Sequence, residues 1–252
     1  MKVVLISHTP NPEKVVATAA KLCYSPCGIT ETQEKLTDEK IRDFVKMLAQ
    51  IGHESPLEHI TFTFGIEGVS RALLAQLTRH RIASYSVQSQ RYVKNSNFNY
   101  VIPEEIKKIP EALSEFENSI AQIRECYDKI SDILQQSHIE KLIEQGIDKQ
   151  TAKKTAEKAA IEDARYILPN ACETNIICTF NARSLLNFFS HRCCMRAQTE
   201  IRELAKNMLM IVKDIAPDIF SVAGPPCVEG KCREGKMSCG KASEMRNFFK
   251  NL

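Results

Sequence analysis

Residues 60–66 (ITFTFGI) alternate Ile60, Phe62, Phe64 and Ile66 with Thr61, Thr63 and Gly65. A period of two predicts a strand with one face in the core. Upstream, Ile41, Phe44, Val45 and Leu48 recur in steps of three and four, the spacing of one helix face. Asp38 and Glu39 fall in that helix's first turn, where the dipole favours acids, and Gly52 is its predicted terminator. Residues 2–7 (KVVLIS) read as a strand stopped by Pro10 and Pro12, and 13–22 as a short helix. Ser55, Pro56 and Glu58 have the spacing of a capping box with proline at the first helical position, so a short helical turn is predicted there. Ser70 is the predicted cap of a helix whose apolar face carries Leu73, Leu74 and Leu77. Gln76, Arg79 and His80 come off its end, and Ile82 to Arg91 reads as a loop.

Further on, Ile120, Ile123, Tyr127, Ile130 and Leu134 mark a long amphipathic helix from Pro110 to about residue 145. Residues 149–167 are Ala- and Lys-rich, a second helix ended by Leu168-Pro169. Residues 173–180 read as a strand, and 181–192 and 197–215 as helices. No repeat and no flexible linker interrupts the pattern. The expected fold is one α+β domain over residues 1–216, with a mixed or antiparallel sheet and several long helices. From 217 to 252 the chain turns to Gly, Pro, Cys and Lys with little periodicity and reads as an appended tail.

Composition narrows the function classes. Of 252 residues 43% are hydrophobic and 26% charged, as in ordinary globular proteins. Lys+Arg (34) exceeds Asp+Glu (31) by only three, so overall charge does not suggest nucleic acid or an anionic membrane. No apolar run has transmembrane length, and "MKVVLISHTPNP" lacks a signal peptide's long apolar region; a cytoplasmic protein is expected. Its ten cysteines are then expected to be reduced. Cys23, Cys126, Cys172 and Cys178 sit among apolar neighbours and read as small core residues. Cys227, Cys232 and Cys239 put three thiols on the tail. Zinc wants four ligands, and Cys193, Cys194 or His191 could add one if the tail folds back. The spacing matches no standard finger, so an unordered end with reduced thiols is preferred and no metal is assigned.

One segment concentrates candidate chemistry. "RHRIASYSVQSQR" (79–91) interleaves three arginines with Ser84, Ser86, Gln88, Ser89 and Gln90, with no lysine. Guanidinium forks match phosphate bidentately, and serine and glutamine add neutral donors, which suits a small phosphorylated ligand. A solvated basic loop is the bland alternative. "NARSLLNFFSHR" (181–192) carries Asn181, Arg183, Asn187 and Arg192 on one predicted helix, and in "EDARYILP" Glu162 and Arg165 could form a local ion pair.

Arg79-His80-Arg81, seven residues, then Ser89 is the pattern RHR-x7-S, which resembles the signature of flavin-dependent thymidylate synthases. "HESPLEH" upstream and "EDARYILP…FNARSLLNFF…HR…AQ" downstream resemble the same family in the same order, so the likeness spans roughly residues 1–216. It implies methylation of dUMP to dTMP, with methylenetetrahydrofolate as carbon donor, FAD as cofactor and NADPH as reductant, in a cytoplasmic homotetramer. Ser55, Arg79, His80, Arg81, Asn181, Arg183 and Asn187 match positions that hold FAD. Gln76, Arg79, Ser89, Gln90, Arg91, Arg165 and Arg192 match positions that bind dUMP, with Leu77, Thr78 and Gln88 beside them. Ser89 and Arg91 would grip the phosphate. Arg192 would lie against the pyrimidine, as the catalytic residue, and promote ionisation at N3. His53 matches the folate-binding face of the flavin, and Arg165 a neighbouring subunit's nucleotide.

Val87 departs from the family pattern, which often has an acid there touching flavin and nucleotide; valine offers only backbone groups. The competing class is a nucleic-acid-binding protein using the basic 79–91 loop. It predicts a broad basic stripe with interleaved aromatics, whereas only Tyr85 and Tyr92 accompany this loop.

Overall fold

A computed structural model describes residues 1–92, 94 and 96–252. In chain order the elements are β1 (Lys2–His8), α1 (Pro12–Leu22), α2 (Ile29–Lys35), α3 (Asp38–Ile51), β2 (Thr61–Ser70), α4 (Arg71–Leu77) and β3 (Ala83–Val87). There follow α5 (Glu104–Lys107), α6 (Pro110–Glu144), α7 (Lys149–Ala164), β4 (Glu173–Asn181), α8 (Ala182–Arg192), α9 (Thr199–Ile215) and α10 (Ala242–Lys250). The fold is α+β on one four-stranded antiparallel sheet, ordered β1-β2-β4-β3. The chain forms two compact units, Met1–Glu67 with Gln76–Ser86 and Ile176–Leu252, and Gly68–Ala75 with Val87–Asn175.

In the first unit the period of two in β2 does what it predicts. Phe62, Phe64 and Ile66 are buried, while on the alternate positions Thr63 Oγ1 shares a 2.9 Å hydrogen bond with Thr179 Oγ1 of β4. β1 pairs antiparallel with β2, Leu5 opposite Phe64. Leu185, Phe188 and Phe189 of α8 are fully buried, and Phe220 meets Phe62 and Phe189 edge-on at 5.6 and 6.0 Å. Each such side chain contributes about 1.5–3 kcal/mol on burial. Thr37 caps α3, its Oγ1 accepting from Lys40 N–H at 3.4 Å, and Gly52 ends that helix at φ +75°, where a Cβ would be strained.

The tail expectation is corrected. Phe220, Val228, Met245 and Phe249 are all buried, and α10 is a helix the sequence reading missed. Lys213 Nζ donates to the Phe249 carbonyl at 3.0 Å, while Arg246 donates to the carbonyls of Cys227 (2.8 Å) and Gly230 (2.9 Å). Met245 and Phe249, one turn apart, form the buried face of α10, a short helical period that the sequence reading passed over among the Gly, Cys and Lys residues around it.

In the second unit α6 packs against α7. Ala152, Ala156 and Ala160, one turn apart on α7, are fully buried, and their small side chains let the helices approach closely. Asp148 caps α7 by accepting from the N–H groups of Gln150 and Thr151, both at 3.1 Å. Phe98, Ile120 and Cys172 form a small core with Phe116 and Leu168.

Other expectations change locally. The predicted loop from Ile82 holds β3, because Tyr85 anchors it by packing edge-on to Phe180 at 5.8 Å, leaving Ser84 and Ser86 exposed. Ser55 is the first residue inside a 3-10 turn whose cap position is Glu54, so it does not cap, and Glu58 pairs with Arg183. Cys172 and Cys178 are buried as read, but Cys23, just past the end of α1, and Cys126, on the solvent side of α6, are exposed. Helices α2 and α5 were not read from the sequence.

Candidate functional site

The turn after α4 is pinned by one side chain. Tyr85 Oη–H lies 3.0 Å from the Leu77 carbonyl and 2.7 Å from that of His80, bonding the turn from within. Ring burial pushes the Tyr85 phenol well above its ordinary range, so it stays a donor. The Leu77 side chain is fully buried, leaving only its backbone to face a ligand, whereas Thr78, Arg79 and Arg81 are exposed. Gln76 is half-buried, its Nε2 donating to Gln198 Oε1.

Helix α8 brings the second set. Asn181 caps it, Oδ1 accepting from Ser184 N–H at 2.8 Å. Because Phe188 and Phe189 face the core, Asn187 is turned outward. The His80 ring sits edge-on to Phe188 at 5.0 Å. Arg192 Nε–H donates to His80 Nε2 at 3.1 Å, and Nη2 to the Gln76 carbonyl at 3.3 Å. Since Nε2 accepts, the neutral ring carries its proton on Nδ1, and the Asn187 side chain also hydrogen-bonds the ring. Burial, reinforced by the charges of Arg192, His191 and Arg79, lowers the His80 pKa from 6.5 to about 4, against the opposing Asn187 bond. The imidazole is therefore neutral at physiological pH.

Arg79, His80, Asn187 and Arg192 line a cavity of about 590 Å³. Its wall also includes Arg196 and the tail residues Cys227, Cys232 and Arg233. Among the described residues neither Arg79 nor Arg192 has a carboxylate in ion-pair range, so their charge is uncompensated. Arg183 differs: it pairs with Glu54 at 3.2 Å and with Glu58, which raise its pKa further. Neither Arg183 nor Ser55, exposed in its 3-10 turn, lines this cavity. His53 is exposed, stacks on Tyr24 at 6.4 Å and borders a separate groove with Phe44, Met47 and Ile51.

The second unit holds a different cavity, of about 470 Å³, bordered by Arg71, Gln88, Ser89, Gln90, Lys94 and Asn175, with Glu173 its one carboxylate. Gln88 N–H donates to the Asn175 carbonyl at 3.0 Å, and Asn175 Nδ2 returns a 3.0 Å bond to Gln88 Oε1. Arg71 Nη2 donates to the Gln88 carbonyl at 2.6 Å, and its buried Nε–H has no partner among the described residues. Burial and then the nearby Arg165 charge lower its pKa. Ser89 Oγ accepts from Arg91 N–H at 3.1 Å. Val87, at the end of β3, is half-buried.

Arg91 and Arg165 do not line that cavity. Arg91 pairs with the Glu162 carboxylate at 2.7 Å, and Arg165 Nε donates to the Glu162 carbonyl at 3.1 Å. The local Glu162–Arg165 ion pair is thus corrected: the carboxylate has a better partner in Arg91. Arg71 and Asn175 were missed. Only their bonds to Gln88, remote in sequence, single them out.

Burial pushes the Cys193 thiol up to about 12, while Cys194, Cys227 and Cys232 border the first cavity. Among the described residues no three His, Cys, Asp or Glu side chains are gathered as a metal ion would require. The first cavity is thus a cationic pocket around a neutral imidazole, suited to hold an anion.

Residues 4–218 match the family model described as thymidylate synthase complementing protein. A protein of Clostridium tetani named flavin-dependent thymidylate synthase is 57% identical over 249 residues, covering 99% of this chain and 97% of that one. Proteins of the same name from Geobacter sulfurreducens and Pyrococcus horikoshii are 45% and 40% identical, each over 100% of this chain and 99% and 98% of their own.

Proposed function

From the premise that the chain belongs to the flavin-dependent thymidylate synthase family, and is an enzyme of it, we propose that it methylates dUMP to dTMP with methylenetetrahydrofolate, FAD and NADPH. The observation that carries this reading is Arg192, a guanidinium without a carboxylate partner among the described residues, oriented by a neutral His80 in a cationic cavity.

Arg192 lies against the uracil of dUMP, where its charge stabilises the anion that develops toward N3 and O4 as C5 becomes nucleophilic. His80 keeps that guanidinium aimed: a protonated ring would lose the accepting lone pair and repel it. Asn187 in turn hydrogen-bonds the His80 ring. Arg79, His80 and Asn187 in the cavity, with Arg81, Ser55, Asn181 and the acid-paired Arg183 outside its lining, are the groups proposed to hold FAD. The uncompensated guanidiniums and neutral donors of the cavity suit its diphosphate and polar ring edge. FAD held by these residues would supply hydride chemistry. In the second unit, Ser89, Gln90 and the loop amides are suited to a phosphate, together with Arg71, whose charge has no carboxylate in ion-pair range among the described residues. Ser89 is a binder here, since its Oγ accepts from a backbone N–H and, among the described residues, makes no hydrogen bond to a histidine or carboxylate.

Homotetramer assembly, with Arg165 at a neighbour's nucleotide, and His53 at the folate face belong to the same proposal. Exposed Ile82, Ile133 and Tyr166 are apolar surface available for assembly. Among the described residues no helix is long and apolar enough to cross a membrane, and ten free thiols suit the reducing cytoplasm proposed as its compartment. The test is production of dTMP from dUMP with all four reactants present. Formation of dTMP that persists when FAD or methylenetetrahydrofolate is withheld from stripped protein would refute the reading.

A further inference from the structure

Two arginines of the first cavity, Arg196 and Arg233, have no role in the function proposed above. The cavity lining includes four arginines, Arg79, Arg192, Arg196 and Arg233, against one acid, Glu234. That acid reaches Arg196 only at 3.9 Å, a long exposed pair worth little. Arg233 has no ion-pair partner among the described residues. Both Arg233 and Glu234 lie beyond residue 218, where the family match ends.

The wall that presents Arg233 is built rather than loose. Arg246 ties the carbonyls of Cys227 and Gly230, and Val228 is buried at the base of the segment. Gly224, at φ +151°, lets the chain pass so close to Phe249 that an added Cβ would stand 3.2 Å from its ring. Fixing this wall beforehand reduces the ordering cost of any ligand that meets it.

We propose that the tail wall, through Arg233 supported by Arg196, is a subsite for an anionic group on a cosubstrate that must reach the flavin. This rests on the function proposed above. The chemistry recognised is a carboxylate or phosphate held by a guanidinium fork. Two sources bring it: the γ-glutamyl carboxylates of the folate and the 2′-phosphate of the reductant. Arg192 is committed to His80 and the Gln76 carbonyl, whereas Arg233 is free to take either.

Calorimetric binding to the flavin-loaded protein distinguishes them, using tetrahydrofolate with one or three glutamates as one probe pair and NADP⁺ or NAD⁺ as the other. The wild type is expected to favour the more anionic member of one pair by about tenfold, and Arg233→Gln to abolish that preference. Lys241→Gln, a tail lysine outside the cavity, should keep it. A triglutamate preference identifies the carboxylate source, and an NADP⁺ preference the phosphate source. Equal binding within both pairs, or a preference that survives in Arg233→Gln, overturns the inference. A wild-type protein that takes up no flavin and makes no dTMP would instead refute the underlying function, so the two failures are separable. Unchanged dUMP affinity and melting temperature in Arg233→Gln identify its effect as local.

Discussion

The segment from Arg79 to Arg91 begins and ends on an arginine, and the two are held in opposite electrostatic states. Arg79 lines a cavity with Arg192 and has no carboxylate partner among the described residues, whereas Arg91 is neutralised by Glu162 at 2.7 Å. A paired guanidinium must give up or share its partner before it holds a ligand anion. An unpaired one, half-buried like Arg192, maintains a charge that only a ligand or water compensates. Identical residue types in one motif therefore do different work: standing charge at one end, a charge held in reserve by an acid at the other.

The comparison is broken most forcefully at Arg192. Arg192→Ala should fold and keep flavin but lose roughly 10²–10³ in turnover, the scale for removing one charge-stabilising donor. Near wild-type turnover would remove Arg192 from the mechanism. Arg192→Lys should not rescue, because one ammonium cannot both donate to His80 Nε2 and reproduce the planar fork. At the other end, Ser89→Ala should weaken dUMP binding by on the order of 1–3 kcal/mol yet leave measurable activity, as should Ser89→Cys. Complete loss in both variants, with flavin still bound, would make Ser89 a nucleophile.

Arg71→Gln sharpens the contrast within the second cavity. It should weaken dUMP binding about tenfold while leaving deoxyuridine, which lacks the phosphate, unaffected. Equal weakening of both ligands would reduce Arg71 to a prop for the Gln88 carbonyl. The smallest effect is on stability. The folded chain holds a proton on His80 less tightly than the unfolded chain, with pKa about 4 against 6.5. The unfolded state therefore binds more protons in that window, and stability should fall as pH drops from about 6.5 toward 4. In urea unfolding at pH 7 and pH 5, His80→Gln should lose less stability on acidification than the wild type; an identical loss would mean that another group titrates.

Much of this was legible along the chain, for reasons that differ by element. β2 and α3 announced themselves because a single strand or helix face is buried, so periodicity carries the information. β3 did not, because it runs along a sheet edge with serines on its open face and one anchoring tyrosine. In the tail, Met245 and Phe249 give α10 a legible helical face, but the order of the segment before it depends on Arg246 bonding the carbonyls of Cys227 and Gly230, which no local pattern encodes. In the candidate site, spacing identified the arginines but not their partners. That Arg183 meets Glu54 and Glu58 while Arg192 meets His80 depends on tertiary neighbours far away in sequence. Arg71 was invisible for the same reason.

The visible spectrum of the purified protein, loaded with FAD and then given NADPH without oxygen, tests the central claim most directly. The account predicts a yellow protein with flavin absorption bands that bleach on reduction and shift when dUMP is added. A colourless protein that retains no FAD, or a flavin spectrum indifferent to dUMP, would contradict it.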